Sequence, residues 1–228
     1  MKHLIQNVKI YVNEKTYVKD PESSDLGKRI LLHGVRLISE VGFENFTFRK
    51  LGALIGSNES SIYRYFENKH KFLIYLTSWY WGWKEYQLVF TTNSIEDPSV
   101  KLERALEILT FPVETDSSFS HMDEVLLYQI VINEYSKSFL TKEVDRENKE
   151  GYFEIYKRMV HRLGDMISEV NPGYPYARSL ASTVMEGALH QYFLMGHFPS
   201  LTDCRNNHAL YAYFRNLVFS SLKEQPHG

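Results

Sequence analysis

Apolar residues recur every three or four positions along most of this chain, and the rhythm breaks at residues that stop helices. Leu26, Ile30, Gly34, Leu37 and Val41 form one such stripe. Asp25 precedes it as a cap and Gly42 closes it, so a first helix is expected to run to about Glu40. Thr47 can cap a short second helix carrying Phe48, Leu51 and Leu54, which stops at Gly56. Asn58 can cap a third through Tyr65, with Ile62 and Phe66 turned inward, and Asn68 opens a long helix to about Phe90. Helical spacing continues over 99–109, 121–137, 142–170, 174–196 and 203–222. The interruptions are Asp97-Pro98, Phe111-Pro112, Asn171-Pro172-Gly173 and Phe198-Pro199, where proline or the residue before it disfavours a helix. Only the N-terminus departs from this pattern. There VKIYV (8–12) and TYVK (16–19), rich in β-branched and aromatic residues, flank Asn13-Glu14-Lys15 and predict a short β-hairpin. The expected fold class is all-α, a three-helix head followed by an antiparallel helical body.

Charge sharpens the division into an extension (1–25), a head (26–72) and a body (73–228). The head holds eight Lys and Arg against four Glu, a balance of +4, whereas the body holds 14 basic against 20 acidic residues. A basic module ahead of an acidic one suits an anionic partner for the head alone. With 43% hydrophobic and 24% charged residues the composition is that of a soluble globular protein. Cys204 stands alone, which excludes an intramolecular disulfide, and no secretory leader pattern is found. The most apolar run, Phe72 to Trp83, is interrupted and far short of the ~20 residues a membrane helix needs. A cytoplasmic protein without membrane association is expected.

Two short helices joined by a tight turn containing Gly56 make a helix-turn-helix, and the third helix has side chains suited to a DNA major groove. Ser57, Asn58, Ser60, Ser61 and Tyr65 are candidate readers of base edges. Arg49, Lys50, Tyr63 and Arg64 suit phosphates, which set register. A solvated face would explain Ser60 and Glu59 equally well, but not the basic residues around them. The whole stretch GFENFTFRKLGALIGSNESSIYRYFENKHKFL closely resembles the DNA-binding signature of TetR-type transcriptional regulators. The shared features are a Gly-aromatic end to the first helix, Thr-x-Arg opening the second, a Gly and polar turn, then Ile-Tyr-Arg-Tyr-Phe-x-Asn-Lys, together spanning residues 26 to 76. The resemblance implies a homodimer whose two heads bind a palindromic operator and whose bodies hold an effector pocket. It also implies DNA contacts at Thr47, Arg49, Ser57, Asn58, Ser61, Tyr63, Tyr65 and Lys69. Glu59 and Ser60 depart from residues common in the family, so the operator sequence does not carry over. The four Lys of the extension are offset by four acids and are read as solubilising.

Trp79, Trp83 and Tyr86 share one face of the long helix, and Tyr128, Tyr135, Tyr152, Tyr156 and His190 lie on neighbouring predicted helices. Such a stripe serves as core or as the wall of a site for a hydrophobic or aromatic effector, with Glu124 or Glu134 as counter-charges for a cationic one. By the same resemblance the last two helices form the dimer surface. Ala181, Gly187, Ala188 and Met195 on the first, with Phe214, Leu217 and Val218 on the second, are the candidates, and internal packing is the alternative use of each. No phosphate-loop, dinucleotide or His-Glu-x-x-His pattern occurs, and His190 and His197 lack a third ligand. No enzyme, cofactor or metal is expected.

The expected function is ligand-responsive DNA binding, most simply repression; a helical adaptor that binds a protein partner without an effector is the alternative. Asn68-Lys69-His70-Lys71 is the least ordinary tetrapeptide, because two Lys and a His oppose the positive end of a helix dipole. A DNA phosphate gripped by Lys69, with Lys71 adding charge, would resolve that conflict.

Overall fold

A computed structural model describes residues 9–113 and 121–223. Among the described residues there are ten α-helices and no strand. They are α1 (Asp25–Asn45), α2 (Phe48–Leu54), α3 (Glu59–Tyr63), α4 (Lys69–Thr92), α5 (Pro98–Thr110), α6 (Glu124–Glu134), α7 (Val144–Lys149), α8 (Glu154–Val170), α9 (Ala177–His197) and α10 (Asn207–Lys223). The all-α expectation holds.

Helix starts follow capping chemistry. The Thr47, Asn58, Asp97 and Asp123 side chains each accept a backbone N–H of the first turn of the helix they precede. Asn68 Oδ1 does the same for Lys71 N–H at 2.9 Å. For α1 the cap is Ser24, not Asp25: its Oγ accepts from Gly27 N–H at 3.2 Å. Helical geometry in α1 breaks at Gly42, where φ is +74°.

Two expectations are corrected. Residues 9–24 form no hairpin; they carry two 3-10 turns, Glu14–Thr16 and Pro21–Ser23. Asn13 and Asp20 cause this, since their side chains accept the N–H groups of Lys15 and Glu22, two residues on, and close turns where a strand would need extended backbone. Residue 8, the first of the proposed strand, lies outside the described residues. The single helix expected over 142–170 is two, because Gly151 adopts φ +84° between α7 and α8.

The chain forms two compact units. The first contains residues up to Gly82 and Val113–Glu154, and so α1–α3, the first part of α4, α6 and α7. Its centre is aromatic: Phe72 stacks on Phe46 at 5.5 Å between ring centres and meets Phe66 edge-on at 4.9 Å. The second contains Trp83–Pro112 and the chain from Ile155 onward. Here α5 packs against α9 and α10. Glu85, buried on α4, is clamped by Arg158 (2.9 and 2.6 Å) and Arg162 (2.8 Å) of α8. Lys84 is also buried, and its Nζ donates to the Ile108 carbonyl at 2.7 Å. With no acid in contact, burial lowers its pKa to about 7.

Candidate nucleic-acid interface

The short helices α2 and α3 are held at their turn by a glycine and an arginine. Gly56 adopts φ +63°, a conformation open to glycine at no steric cost, and Ser57 N–H closes the turn on the Gly52 carbonyl at 2.9 Å. Arg29 of α1 donates to the Ile55 carbonyl in the same turn. Beneath them Ile62 and Leu51 are fully buried. Phe48 meets the Tyr63 ring edge-on at 5.2 Å, which fixes Tyr63 on the surface with 47% of it exposed.

This packing turns a continuous polar edge outward. Thr47, Arg49, Lys50, Asn58, Ser60 and Arg64 are exposed and Ser57 and Ser61 half-buried. Several have a local partner. Asn58 Oδ1 accepts from Ser61 N–H (2.8 Å), Ser61 Oγ (2.7 Å) and Ser60 Oγ (2.8 Å), so one cap organises three of the expected readers. Lys50 Nζ donates to the Asn45 carbonyl at 2.9 Å. Tyr63 Oη donates to Glu59 at 3.2 Å, and that acceptor raises the Tyr63 pKa.

Of the other expected DNA contacts, Tyr65 and Lys71 are buried and the half-buried Lys69 bonds within the chain. Tyr65 is 4% exposed, and its hydroxyl is 2.8 Å from Ser24 Oγ while its carbonyl accepts from Val18 N–H at 2.8 Å. It anchors the extension because α3 ends at Tyr63, and the chain beyond curls into the core rather than prolonging the reading helix. Lys71 is 7% exposed and donates to the Tyr152 hydroxyl and the Lys15 carbonyl. Lys69 Nζ donates to the carbonyls of Phe43 and Glu44, both at 3.1 Å. Those carbonyls lie just past the break at Gly42, at the negative end of α1, which offsets the dipole cost of a lysine at the start of α4. Between these two lysines, His70 Nε2 pairs with the buried Glu147 of α7 at 3.1 Å.

The aromatic residues proposed for an effector take varied positions. In the first unit Trp79 is buried and donates to Glu22 Oε1 at 3.1 Å, Tyr128 stacks on Tyr80, Tyr135 meets Trp81 and Phe139, and Tyr152 receives Lys71. Glu134, a proposed counter-charge, accepts from Phe43 N–H and pairs with Lys137 at 2.7 Å. Glu124, the other, is buried on α6. In the second unit Trp83 is buried, Tyr86 stacks on Phe90, Tyr156 donates to Glu186 at 2.5 Å, and His190 is exposed beside Phe193. Burial raises the Glu186 pKa against the opposing effect of that hydrogen bond.

The residues proposed for the dimer surface divide by burial. Ala181, Ala188, Phe214 and Val218 are buried within the chain, and the Phe214 ring lies against Gly187, where an added Cβ would meet it at 3.0 Å. Small residues on α9 serve close packing with α10 of the same chain. Met195 and Leu217 remain half-buried. Signals for Arg29, Ser24 and Glu22 were absent from the sequence reading, because each acts on a residue 26 or more positions away.

Residues 30–76 match the family model of bacterial regulatory proteins, tetR family. No curated protein gives a significant match. Among solved structures, AibR in complex with isovaleryl coenzyme A and operator DNA is similar at TM-score 0.58 and 17% identity, over 84% of this chain and 98% of that one. The superantigen PfiT is similar at TM-score 0.58 and 15% identity, over 87% and 97%. The fatty acid degradation regulator FadR from Bacillus halodurans follows at 0.53 and 17%, over 88% and 95%. At such identities these likenesses show the shared fold alone. No helix among the described residues is long and apolar enough to cross a membrane. The helix-turn-helix over residues 30–76 is thus similar to the DNA-binding segment of the tetR family of bacterial regulatory proteins.

Proposed function

We propose that the protein is a cytoplasmic, ligand-responsive transcriptional repressor that binds a palindromic operator as a homodimer. The observation that carries the reading is the outward edge of α2 and α3. It presents Arg49, Lys50 and Arg64 around Ser57, Asn58, Ser60, Ser61 and Tyr63, with Thr47 at its start. Arg49, Lys50 and Arg64 would hold phosphates, and the hydroxyls and amide would meet base edges. Asn58 acts there as cap and contact together. Lys69, Tyr65 and Lys71 support the head from behind.

Two heads on one palindrome require a dimer. The last two helices supply it through the outward side of α10, where Tyr213 is 47% exposed beside Asn216, Leu217 and Ser220. Met195 contributes from α9. The effector would bind in the body among Trp83, Tyr86 and Tyr156, with Glu186 and the exposed His190 one turn apart on α9 as polar contacts. AibR, solved with both an acyl-coenzyme A and operator DNA, supports the idea that such a fold joins the two activities. Ligand binding would then favour a body conformation in which the heads no longer match the operator spacing.

Fluorescence anisotropy on duplexes from the region flanking the coding sequence tests this reading. Saturable binding, two chains per site and at least about a hundredfold preference over random duplex are expected. Equal affinity for operator-region and random DNA would reject it in favour of a protein-binding role.

A further inference from the structure

A cleft of about 400 Å³ opens in the first unit, away from the edge of α2 and α3, between the extension, the first turn of α4 and α7. That volume is within the range of small-molecule sites. Its floor is Lys71, whose side chain is the buried cation described above. The ammonium touches two neutral oxygens, lies 3.7 Å from the centre of the Tyr152 ring, and makes no ion pair among the described residues. It sits on the first turn of a helix, where the dipole disfavours positive charge. Burial outweighs the nearby carboxylates Glu67, Glu150 and Glu147 and holds Lys71 below the usual lysine range. Glu67, which is exposed, and Glu150, which reaches Arg146 at 3.9 Å, also line the cleft without touching the Lys71 ammonium, and Glu147 faces His70. Buried charges are ordinarily paired, and this one has neutral oxygens and an aromatic ring in contact but no carboxylate.

The cleft is shaped to receive an anion. Lys15 and Arg146 stand at its rim, both exposed, so three cations line the opening against the two carboxylates Glu67 and Glu150, a balance of +1. The rings of Tyr17 and Tyr152 add flat surface beside the cations, room for an organic part next to an anionic group. The extension holds this wall in place, with Asn13 Nδ2 donating to the Glu150 carbonyl at 3.1 Å and Val18 fastened to Tyr65.

We infer that this cleft is a binding site for a small organic anion, whose carboxylate or phosphate group is received by Lys71 with Lys15 and Arg146 at the rim. It is separate from the DNA-reading edge and stands whether or not the body holds an effector. The role of the extension is to complete this site.

The test is a titration of the full-length protein with inorganic phosphate, and in parallel citrate, exchanged for chloride at constant ionic strength and followed by thermal unfolding. A saturable rise in Tm is expected for the wild type and for Lys28→Ala, an exposed lysine of α1 outside both the cleft and the DNA-reading edge. Lys71→Met should weaken the response at least about tenfold. Should Lys71→Met not fold, Lys15→Ala and Arg146→Ala, both at exposed positions, should each weaken it about threefold. A linear response shared by all variants, as a general salt effect produces, overturns the proposal. Adding a short duplex separates the remaining alternative. If duplex abolishes the phosphate response in wild type, and Lys71→Met lowers duplex affinity in proportion, the occupant is a nucleic-acid phosphate and the inference fails. An unchanged phosphate response in the presence of duplex supports it.

Discussion

Residues 47–64 and residues 68–71 present much the same chemistry in the sequence, polar groups interleaved with Lys and Arg near helix starts, yet the protein uses them in opposite ways. In the first stretch Arg49, Lys50 and Arg64 face solvent. In the second, Lys69 closes the end of α1, His70 meets Glu147, and Lys71 is buried. The difference lies in what each stretch packs against. Helices α2 and α3 are short and rest on the core by one face, so their other face has nothing to cover it. The start of α4 lies against the end of α1, α7 and the extension, and every cation there finds an oxygen within the chain. A basic residue is therefore free to meet an outside phosphate only as far as the neighbouring elements leave it exposed, as Lys50 remains even while it donates to the Asn45 carbonyl.

The largest effect should come from the support that the two stretches share. Phe72 contacts Phe46 and Phe66, and its ring lies where a Cβ on Gly34 would sit. Phe72→Ala should destabilise the protein by about 3–5 kcal/mol and abolish DNA binding with it. Urea unfolding measures this, and a loss below about 1 kcal/mol would mean that the edge is held independently of α4.

Lys84 extends the comparison to a buried lysine of the second unit whose ammonium donates to a carbonyl and lies 5.8 Å from the centre of the Trp83 ring. Its folded pKa of about 7 lies below the ordinary 10.5. The unfolded chain therefore binds the extra proton between those values, so the penalty is full below pH 7 and fades toward pH 10.5. Lys84→Met should stabilise the protein by on the order of 3 kcal/mol at pH 7 after allowing for the lost hydrogen bond, and by progressively less as pH rises. Thermal melts at pH 6.5 and 9.5 would show it; equal gains at both pH values would contradict the burial of a charged ammonium.

Arg49→Ala examines the outward stretch. It should cost about 1 kcal/mol of DNA affinity, lower the salt slope by about one unit per head, and leave stability within about 0.5 kcal/mol. An unaltered slope across a potassium chloride series would remove Arg49 from the interface. Lys69→Ala is the smallest and most discriminating change. Because Lys69 serves the α1 carbonyls, stability should fall by about 0.5–1 kcal/mol while the salt slope stays put. A lower slope with intact stability would restore Lys69 to the phosphate contacts and erase the contrast between the two stretches.

Much of the architecture was legible in the sequence. The caps Thr47, Asn58 and Asn68, the stops at Gly42 and Gly56, and the proline breaks act within a few residues of themselves, and local hydrogen bonding decides them. The edge of α2 and α3 was legible for the same reason, since an exposed face on a short helix follows from which face is apolar. The N-terminal hairpin was misread because Asn13 and Asp20 outweigh the β-propensity of their neighbours by closing turns. Periodicity showed that α9 and α10 carry small and apolar residues. It could not show that Phe214 spends that surface on Gly187 within the chain.

By itself, then, the sequence determined the helical class, most of the element boundaries and the polar character of the reading edge, all consequences of interactions spanning a turn or two of chain. Tertiary structure alone decided which charges face water. Tyr65 meets Ser24 across 41 residues, Lys71 meets Tyr152 across 81, and Glu22 receives Trp79 across 57. A charged or hydroxylated side chain carries no local mark of its partner, and whether it is exposed depends on which distant oxygen or nitrogen the packing brings within about 3 Å.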